Sequence, residues 1–138
     1  MQKDTVHIYT HKLESHALNW AIAKSFGASN ISFNSKGVWI DDLGFNIEGN
    51  YLGYIKYDDP IISMYLLKRI LHLNTSCTLS YKSMGNNIGY YGSFESLGAY
   101  CEKDLPLLIA RLYLTSKLSN VEIPIELLTL DQLQYIVK

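Results

Sequence analysis

The segment Asp104–Asn120 constrains the fold most, because apolar residues cover most of its helical circumference. Two adjacent stripes at helical spacing are formed by Leu105, Leu108, Ile109 and Leu112, and by Leu107, Ala110, Leu114 and Leu118. Asp104 and Pro106 suit a helix start, and Asn120 suits a left-handed helix end. A helix that is apolar on so many sides packs against more than one element. We therefore predict that this helix is buried in the centre of the fold.

Arg111 places a charge inside the apolar arc of this helix. A guanidinium keeps its proton, so a buried arginine needs an acidic partner or an anion, or it must reach water along its apolar stem. The acidic partners that the sequence offers are Asp58, Asp59 and Glu95. The other reading is that Arg111 binds an anionic ligand or an acidic group of a partner. The sequence alone leaves these alternatives open.

Shorter patterns predict the remaining elements. Alternation predicts strands at Thr5–Thr10, Ile31–Phe33, Gly37–Ile40 and Phe45–Ile47, and a hairpin of Cys77–Lys82 with Ile88–Leu97. Ser15 is predicted as the N-cap of a helix that runs through Phe26, with Gly27 as the stop. A second helix is predicted from Pro60 to Leu71 after the cap Asp58-Asp59. Asp131 is predicted to cap a last short helix. This order predicts a single α+β domain over residues 1–138, an α/β sandwich of mostly antiparallel sheet with packed helices.

Charge and apolar patterning exclude several functional classes. The net charge is −1 and no basic run occurs, so the chain carries no signal for binding nucleic acid. No apolar run approaches the roughly 20 residues that span a bilayer, so we expect no membrane segment. With two cysteines and no apolar signal segment, we expect a cytoplasmic protein with reduced thiols.

No residue pattern indicates catalysis. His7 and His11 are four apart in a strand-like stretch, where that spacing does not bring two ligands together. The pairs Asp41-Asp42 and Asp58-Asp59 are explained by turn and cap positions, and no P-loop, dinucleotide or serine-hydrolase motif is present. We therefore expect no catalytic residue, no metal and no cofactor. An enzyme of unknown type is the least favoured alternative.

Three motifs in order resemble the NinX-type family of small phage proteins. The first motif is Leu13–Lys24, which contains the run Ala-Leu-Asn-Trp-Ala-Ile-Ala-Lys. The second motif is Asp59–Ile62. The third motif is Leu105–Tyr113, followed by Ser116–Leu118 and Val121–Pro124. The resemblance implies a phage or prophage origin, and related small phage domains are α/β/α sandwiches. The family usually has a glycine-rich run before its proline. This chain has Tyr54–Asp59 there instead. Trp20 and Arg111 are the matched positions carried over as site residues.

The resulting functional expectation is a phage-type accessory protein that acts by binding. We predict a ligand site at Arg111, flanked by Trp20 and by Tyr90 or Tyr91, which face opposite ways on one strand. The partner is a host or phage protein or, alternatively, a small anionic ligand such as a nucleotide signal. The apolar tail Leu127–Val137 predicts a homodimer, because an exposed apolar stripe usually finds a partner.

Overall fold

The computed structural model describes residues 4–73, 77–85, 87–94, 97–102 and 104–138. These residues form three α-helices, α1 (Ser15–Ser25), α2 (Pro60–Leu73) and α3 (Leu105–Lys117). The strands are β1 (Thr5–Tyr9), β2 (Ile31–Asn34), β3 (Gly37–Ile40), β4 (Cys77–Met84), β5 (Asn87–Phe94), β6 (Leu97–Glu102) and β7 (Asn120–Pro124). Short 3-10 helices lie at Thr10–Lys12, Ile125–Leu127 and Leu130–Tyr135.

All strand pairs among the described residues are antiparallel. β1 pairs with β7 from Thr5↔Pro124 to Tyr9↔Asn120, although the two strands lie at opposite ends of the chain. β2 and β3 form a hairpin, and β4, β5 and β6 form a three-stranded sheet in chain order. The predicted fold class, a single-domain α+β arrangement of antiparallel sheet with packed helices, is confirmed. The strands form three small sheets instead of one continuous sheet.

Helix α3 lies at the centre of the core, as its apolar circumference predicted. It contacts α1, α2 and the sheet strands β5 and β6. Leu108 and Leu112 are fully buried. Their methyl groups approach Gly92 on β5 closely enough that an added Cβ would lie 2.5 Å from the Leu112 Cδ1 atom. The Leu108 and Leu112 side chains of the helix therefore pack directly against the backbone of β5 at Gly92.

The predicted ends of α3 are partly wrong. Asp104 occupies the N-cap position, but its side chain makes no capping hydrogen bond. The helix ends at Lys117, and Leu118 is extended with φ −142°. Asn120 does not adopt a left-handed cap, because it begins β7 and pairs with Tyr9. Long-range pairing to β1 determines the conformation of this segment.

Three further predictions need correction. Phe45–Ile47 is not a strand, since only Ile47 forms an isolated bridge, to Asn50. The predicted strand Ile88–Leu97 ends at Phe94, and the sequence patterns missed the third strand β6 (Glu95 and Ser96 lie outside the described residues). The last short helix is capped by Thr129 with Gln132, so Asp131 lies inside its first turn.

The C-terminal tail is only partly exposed. Ile136 bridges to Ile8, and the Val137 amide donates a 2.8 Å hydrogen bond to the His7 carbonyl. The tail therefore covers the edge of β1 that β7 leaves open. Leu130 and Leu133 are the large apolar tail residues that stay exposed, at 86% and 40%.

Candidate functional site

Arg111 is buried, as predicted, with 8% of its surface exposed. Its Nε atom donates a 3.0 Å hydrogen bond to the backbone carbonyl of Leu13. That bond goes to main chain and not to Asp58 or Asp59, which the sequence offered as partners, and Glu95 lies outside the described residues. Arg111 therefore anchors the segment that leads into α1.

A small cavity of about 280 Å³ opens beside Arg111, and we call it the Arg111 cavity. Its walls carry charges of both signs, positive from Lys12 and Arg111 and negative from Glu14 and Asp131. The uncharged lining residues are Gln132, Gln134 and Tyr135. Burial lowers the pKa of His11 nearby, with smaller contributions from the charges of Lys12 and Arg111. Two acidic and two basic side chains leave this cavity without net charge.

The structure separates the other predicted site residues from Arg111. Trp20 packs edge-on against Phe33, with ring centroids 5.8 Å apart, and lines a different cavity. Tyr90 pairs with Tyr81 across β4 and β5, with ring centroids 4.9 Å apart. Tyr91 is half-buried on the opposite face of β5. The cavity that Arg111 lines includes neither Trp20 nor Tyr90 nor Tyr91.

A larger cavity of about 430 Å³ lies at the start of α1, and we call it the α1 cavity. It is lined by Glu14, Ser15, His16, Asn19, Lys36, Gly37, Lys56, Tyr57, Asp58 and Leu107. Asn19 is buried, and its Oδ1 atom accepts a 2.8 Å hydrogen bond from the Tyr57 amide. This bond ties the loop before α2 to α1. The first turns of α1 and α3 and the approach to α2 therefore meet around one space.

The first turns of α1 and α3 present backbone amides without side-chain caps. The predicted N-cap at Ser15 is wrong, because Glu14 holds that position and Ser15 is the first residue of α1. Asp104 is the N-cap of α3, and neither the Glu14 nor the Asp104 side chain makes a capping hydrogen bond. Ser15 opens α1 with φ 56°, a left-handed value that is uncommon outside glycine. Unsatisfied first-turn amides together with the helix dipole attract anions. The α1 cavity therefore offers donors at two helix starts.

Burial and neighbouring negative charge raise the pKa of two groups close to this cavity, Asp104 and Tyr57. Burial raises the pKa of Asp104, and the negative charge of Asp58 adds to that rise. Burial also raises the pKa of the Tyr57 hydroxyl, and the charges of Asp104 and Asp58 act in the same direction. Tyr57 is therefore a protonated hydrogen-bond donor at neutral pH.

Two lysines and one histidine complete the cavity wall. Lys36 comes from the β2–β3 turn and Lys56 from the loop before α2, and both are exposed. The Nδ1 atom of His16 is buried without a hydrogen-bond partner among the described residues. Within the described part of the chain, no three His, Cys, Asp or Glu side chains are grouped to hold a metal ion. In the same part, no helix combines the length and apolar character that crossing a bilayer requires.

Sequence patterns missed the α1 cavity although they located most of its parts. The helix starts at Ser15, Pro60 and Asp104 were predicted, but nothing in the chain order shows that they converge. Asp58-Asp59 was explained as a cap, and only Asp59 has that role, since its Oδ1 atom accepts a 2.9 Å hydrogen bond from the Ile61 amide. The unused carboxylate of Asp58 then faces the cavity. The sequence signal that could have indicated the cavity was Asp58, a second carboxylate next to the cap residue Asp59.

Comparison with known proteins identifies no similar protein. No family model matches the chain, and no curated protein or solved structure matches it either. The similarity to the NinX-type phage family therefore stays a prediction from the three motifs.

Proposed function

We propose that this protein acts by binding, and that its ligand is a small molecule with an anionic group held in the α1 cavity. The observation that carries the proposal is that the first turns of two helices without side-chain caps line one cavity, α1 with Ser15 and His16 and α3 with Leu107. Backbone amides at a helix start accept a phosphate or carboxylate without further rearrangement. Lys36 and Lys56 add two positive charges to the same wall.

The acidic residues of the cavity narrow the ligand class. Glu14 and Asp58 match the two lysines in number, so the lining has no net charge when His16 is neutral. Carboxylates accept hydrogen bonds and bind donor groups. A ligand that carries an anionic group together with N–H or O–H donors suits both sets of side chains. A nucleotide has this combination, which favours the nucleotide-signal alternative over a simple anion.

From the motif resemblance we also propose that the protein is a phage or prophage accessory protein. The binding activity would then serve an encounter between phage and host. A macromolecular partner, a host or phage protein, is compatible with this role. A titratable group poised as a general base would favour catalysis. The Tyr57 hydroxyl does not serve in that way, because its raised pKa keeps the proton on it.

The test combines native mass spectrometry with a nucleotide titration. Freshly purified protein is weighed under native conditions to detect a retained ligand. Adenosine monophosphate and inorganic phosphate are then titrated separately while backbone amide resonances are followed by NMR. We expect the amides of Ser15, His16 and Leu107 to shift with the nucleotide. Lys36→Gln combined with Lys56→Gln should weaken binding by about tenfold or more.

Lys24→Gln serves as the matched control, because Lys24 is an exposed lysine in the last turn of α1. It should bind like the wild type. No retained mass and no amide shift at millimolar nucleotide would contradict the proposal. Equal weakening by the control would show that the lysines act through overall charge and not through the cavity.

A further inference from the structure

A cavity of about 380 Å³ lies on the β2–β3 hairpin, and we call it the aromatic cavity. It is lined by Asn34, Trp39, Ile40, Leu52, Gly53 and Tyr54. Among the described residues, this lining contains no Lys, Arg, His, Asp or Glu. Small-molecule sites commonly combine such apolar and aromatic walls with a few polar groups. The aromatic cavity therefore suits an uncharged part of a ligand.

Trp39 and Tyr54 form a corner of two aromatic rings in this cavity. Their ring centroids are 5.9 Å apart, and the ring planes are inclined at 83°. Trp39 faces away from the core, because its neighbour Val38 on the strand is fully buried. Tyr54 is 36% exposed and Trp39 is half-buried, so both rings keep surface that a ligand can contact. A planar ring can stack on one of them while its edge meets the other.

Hydrogen bonding and backbone packing hold the two rings in place. The Trp39 Nε1 atom donates a 2.8 Å hydrogen bond to the Asp41 carboxylate. Tyr54 forms an antiparallel bridge with Trp39, and a Cβ added at Gly37 would lie 2.9 Å from the Tyr54 Cδ1 atom. The tyrosine ring thus packs directly on the Gly37 backbone. Groups fixed in this way lose little entropy when a ligand binds.

Asn34 supplies a hydrogen-bond donor to the same cavity. Its Oδ1 atom accepts hydrogen bonds from the Lys36 amide at 2.8 Å and from the Gly37 amide at 3.2 Å. A side-chain amide has two acceptor positions on its oxygen and two donors on its nitrogen. The turn therefore occupies the oxygen, and the Nδ2 group is the part of Asn34 that can bond a ligand. Ring nitrogens and carbonyls of nucleobases are acceptors for such a donor.

The aromatic cavity adjoins the α1 cavity at Tyr54. The Tyr54 ring packs on Gly37, and the Lys56 Nζ atom lies 6.0 Å from the ring centroid. Gly37 and Lys56 both line the α1 cavity. One tyrosine ring therefore separates the anion site from the Trp39 ring. In a nucleotide, the ribose likewise separates the phosphate from the base.

We propose that the aromatic cavity is the base subsite for a nucleotide whose phosphate is held in the α1 cavity. This inference rests on the proposed function, because the phosphate site fixes where the nucleotide begins. The base stacks at the corner of Trp39 and Tyr54 and accepts a hydrogen bond from the Asn34 Nδ2 group. Stacking on aromatic side chains supplies affinity for any base, and the hydrogen bond supplies preference among bases. A cationic group in this corner would be repelled by the nearby Lys56 ammonium.

Adenosine monophosphate, ribose 5-phosphate and adenosine separate the contribution of the base from that of the phosphate. The emission of Trp39 is followed in a Trp20→Phe variant, since the chain has two tryptophans. The Trp20 Nε1 atom has no hydrogen-bond partner among the described residues, so phenylalanine breaks no bond there. We expect the two ligands that contain a base to quench Trp39, and ribose 5-phosphate to leave its emission unchanged. The NMR shift of the Ser15 amide reports the phosphate site in parallel titrations.

Affinity for the wild type gives the second readout. Adenosine monophosphate should bind at least about fivefold more tightly than ribose 5-phosphate, because a stacked base adds to the phosphate contact. This comparison needs no substitution, so it does not depend on the folding of a variant.

A matched pair of substitutions tests the indole ring. Trp39→Phe keeps an aromatic ring and Trp39→Leu removes it, while both lose the bond to Asp41. Trp39→Leu should bind adenosine monophosphate at least about fivefold more weakly than Trp39→Phe, with equal binding of ribose 5-phosphate. Tyr51→Leu is the control, because Tyr51 is 76% exposed and does not line the cavity. It should bind all three ligands like the wild type.

The results distinguish failure of the base subsite from failure of the proposed function. Equal affinity for adenosine monophosphate and ribose 5-phosphate, with the Ser15 amide shifted by both, would overturn the base subsite and leave the phosphate site intact. Unchanged Trp39 emission with adenosine monophosphate would also overturn the base subsite. Quenching by adenosine, without a Ser15 shift from either phosphate compound, would overturn the phosphate site alone.

Discussion

Among single residues, Arg111 fixes the start of α1 through a backbone contact. Its Nε–H donates a hydrogen bond to the Leu13 carbonyl, and the buried side chain also lines the Arg111 cavity. A buried carbonyl that loses its hydrogen-bond donor destabilises the fold, because it has given up its hydrogen bonds to water and gains none in return. Arg111 thus has a structural role, and a direct ligand contact for it stays a prediction.

Replacing Arg111 by Met tests this role. The variant keeps the apolar stem but leaves the Leu13 carbonyl without its donor, so we expect a loss of about 1–3 kcal/mol in the free energy of unfolding. Urea denaturation measures the change. Lys12→Met is the control, because Lys12 is an exposed cation of the same cavity and should shift stability by less than about 0.5 kcal/mol. Unchanged stability of Arg111→Met, with loss of a bound ligand, would instead favour the ligand-contact reading.

Asp104 gives a pH-dependent prediction at the same scale. Its folded pKa is raised by burial and then by Asp58, so its charged form is disfavoured in the folded protein. The folded state then binds more protons than the unfolded state between the ordinary pKa of aspartate and the raised one. Through that window the contribution of Asp104 to stability increases as pH falls. At neutral pH, where the carboxylate is charged, that contribution is unfavourable.

Asp104→Asn should therefore raise the melting temperature at pH 7, since Asn also suits an N-cap. The gain should shrink as the pH falls from the raised pKa of Asp104 towards the ordinary pKa of aspartate, because the carboxyl of the folded wild type becomes protonated in that window. Melting curves at several pH values measure this. Asp58→Asn should reduce the gain, because it removes the second cause of the shift. A gain that is independent of pH would contradict the assignment.

Among elements, β5 and α3 pack closely at Gly92. Gly92 is buried, and a Cβ there would lie 2.5 Å from the Leu112 Cδ1 atom and 2.9 Å from the Leu79 Cδ2 atom. Both neighbours are ends of flexible side chains, so they can move at a cost. Packing density in protein cores makes one added methyl group measurable.

We expect Gly92→Ala to destabilise the protein by about 1–3 kcal/mol through overpacking. Leu112→Ala removes the nearest clashing atom, so the double variant should be less destabilised than the sum of the two single variants. Urea denaturation of the four proteins in this cycle gives the coupling energy. Gly53→Ala is the control, because nothing lies within 4 Å of a Cβ built there. Simple additivity would show that the sheet and helix are not in contact at Gly92.

In the whole molecule, the apolar surface that remains for self-association is smaller than the tail sequence suggested. Leu127 is buried, and Ile136 and Val137 are half-buried against β1. Gln132 is 1% exposed, and its Nε2 atom donates a 3.4 Å hydrogen bond to the Glu14 carbonyl. The tail is therefore part of the fold, and its removal is expected to destabilise β1 and the Arg111 cavity.

The predicted homodimer now depends on Leu130 and Leu133, the exposed apolar residues of the tail. If the tail forms the dimer contact, Leu130→Glu with Leu133→Glu should shift the mass from two chains to one. Sedimentation velocity over a wide concentration range measures this. Leu43→Glu is the matched control, since Leu43 is fully exposed in a loop and should leave the mass unchanged. A wild-type mass of one chain throughout would rule out the dimer.

The sequence by itself determined the fold class and the position of α3. Both follow from periodicity, which is a local property: an apolar circumference must be buried on several sides wherever the helix lies. The position of Arg111 inside the apolar arc of this helix likewise indicated its burial. The start of α2 and the stop at Gly27, with φ 78°, were also local, because capping residues and glycine act within one turn.

Only the tertiary structure decided which distant segments meet. The pairing of β1 with β7 turned a predicted helix cap at Asn120 into a strand start. Trp20 and Arg111 each lie in a motif that resembles the NinX-type family, yet they line separate cavities. The α1 cavity joins Ser15, Lys36 and Leu107, residues far apart in the chain. The physical reason is that local preferences set the shape of each element, whereas the placement of elements minimises exposed apolar area over the whole chain, which no single segment encodes.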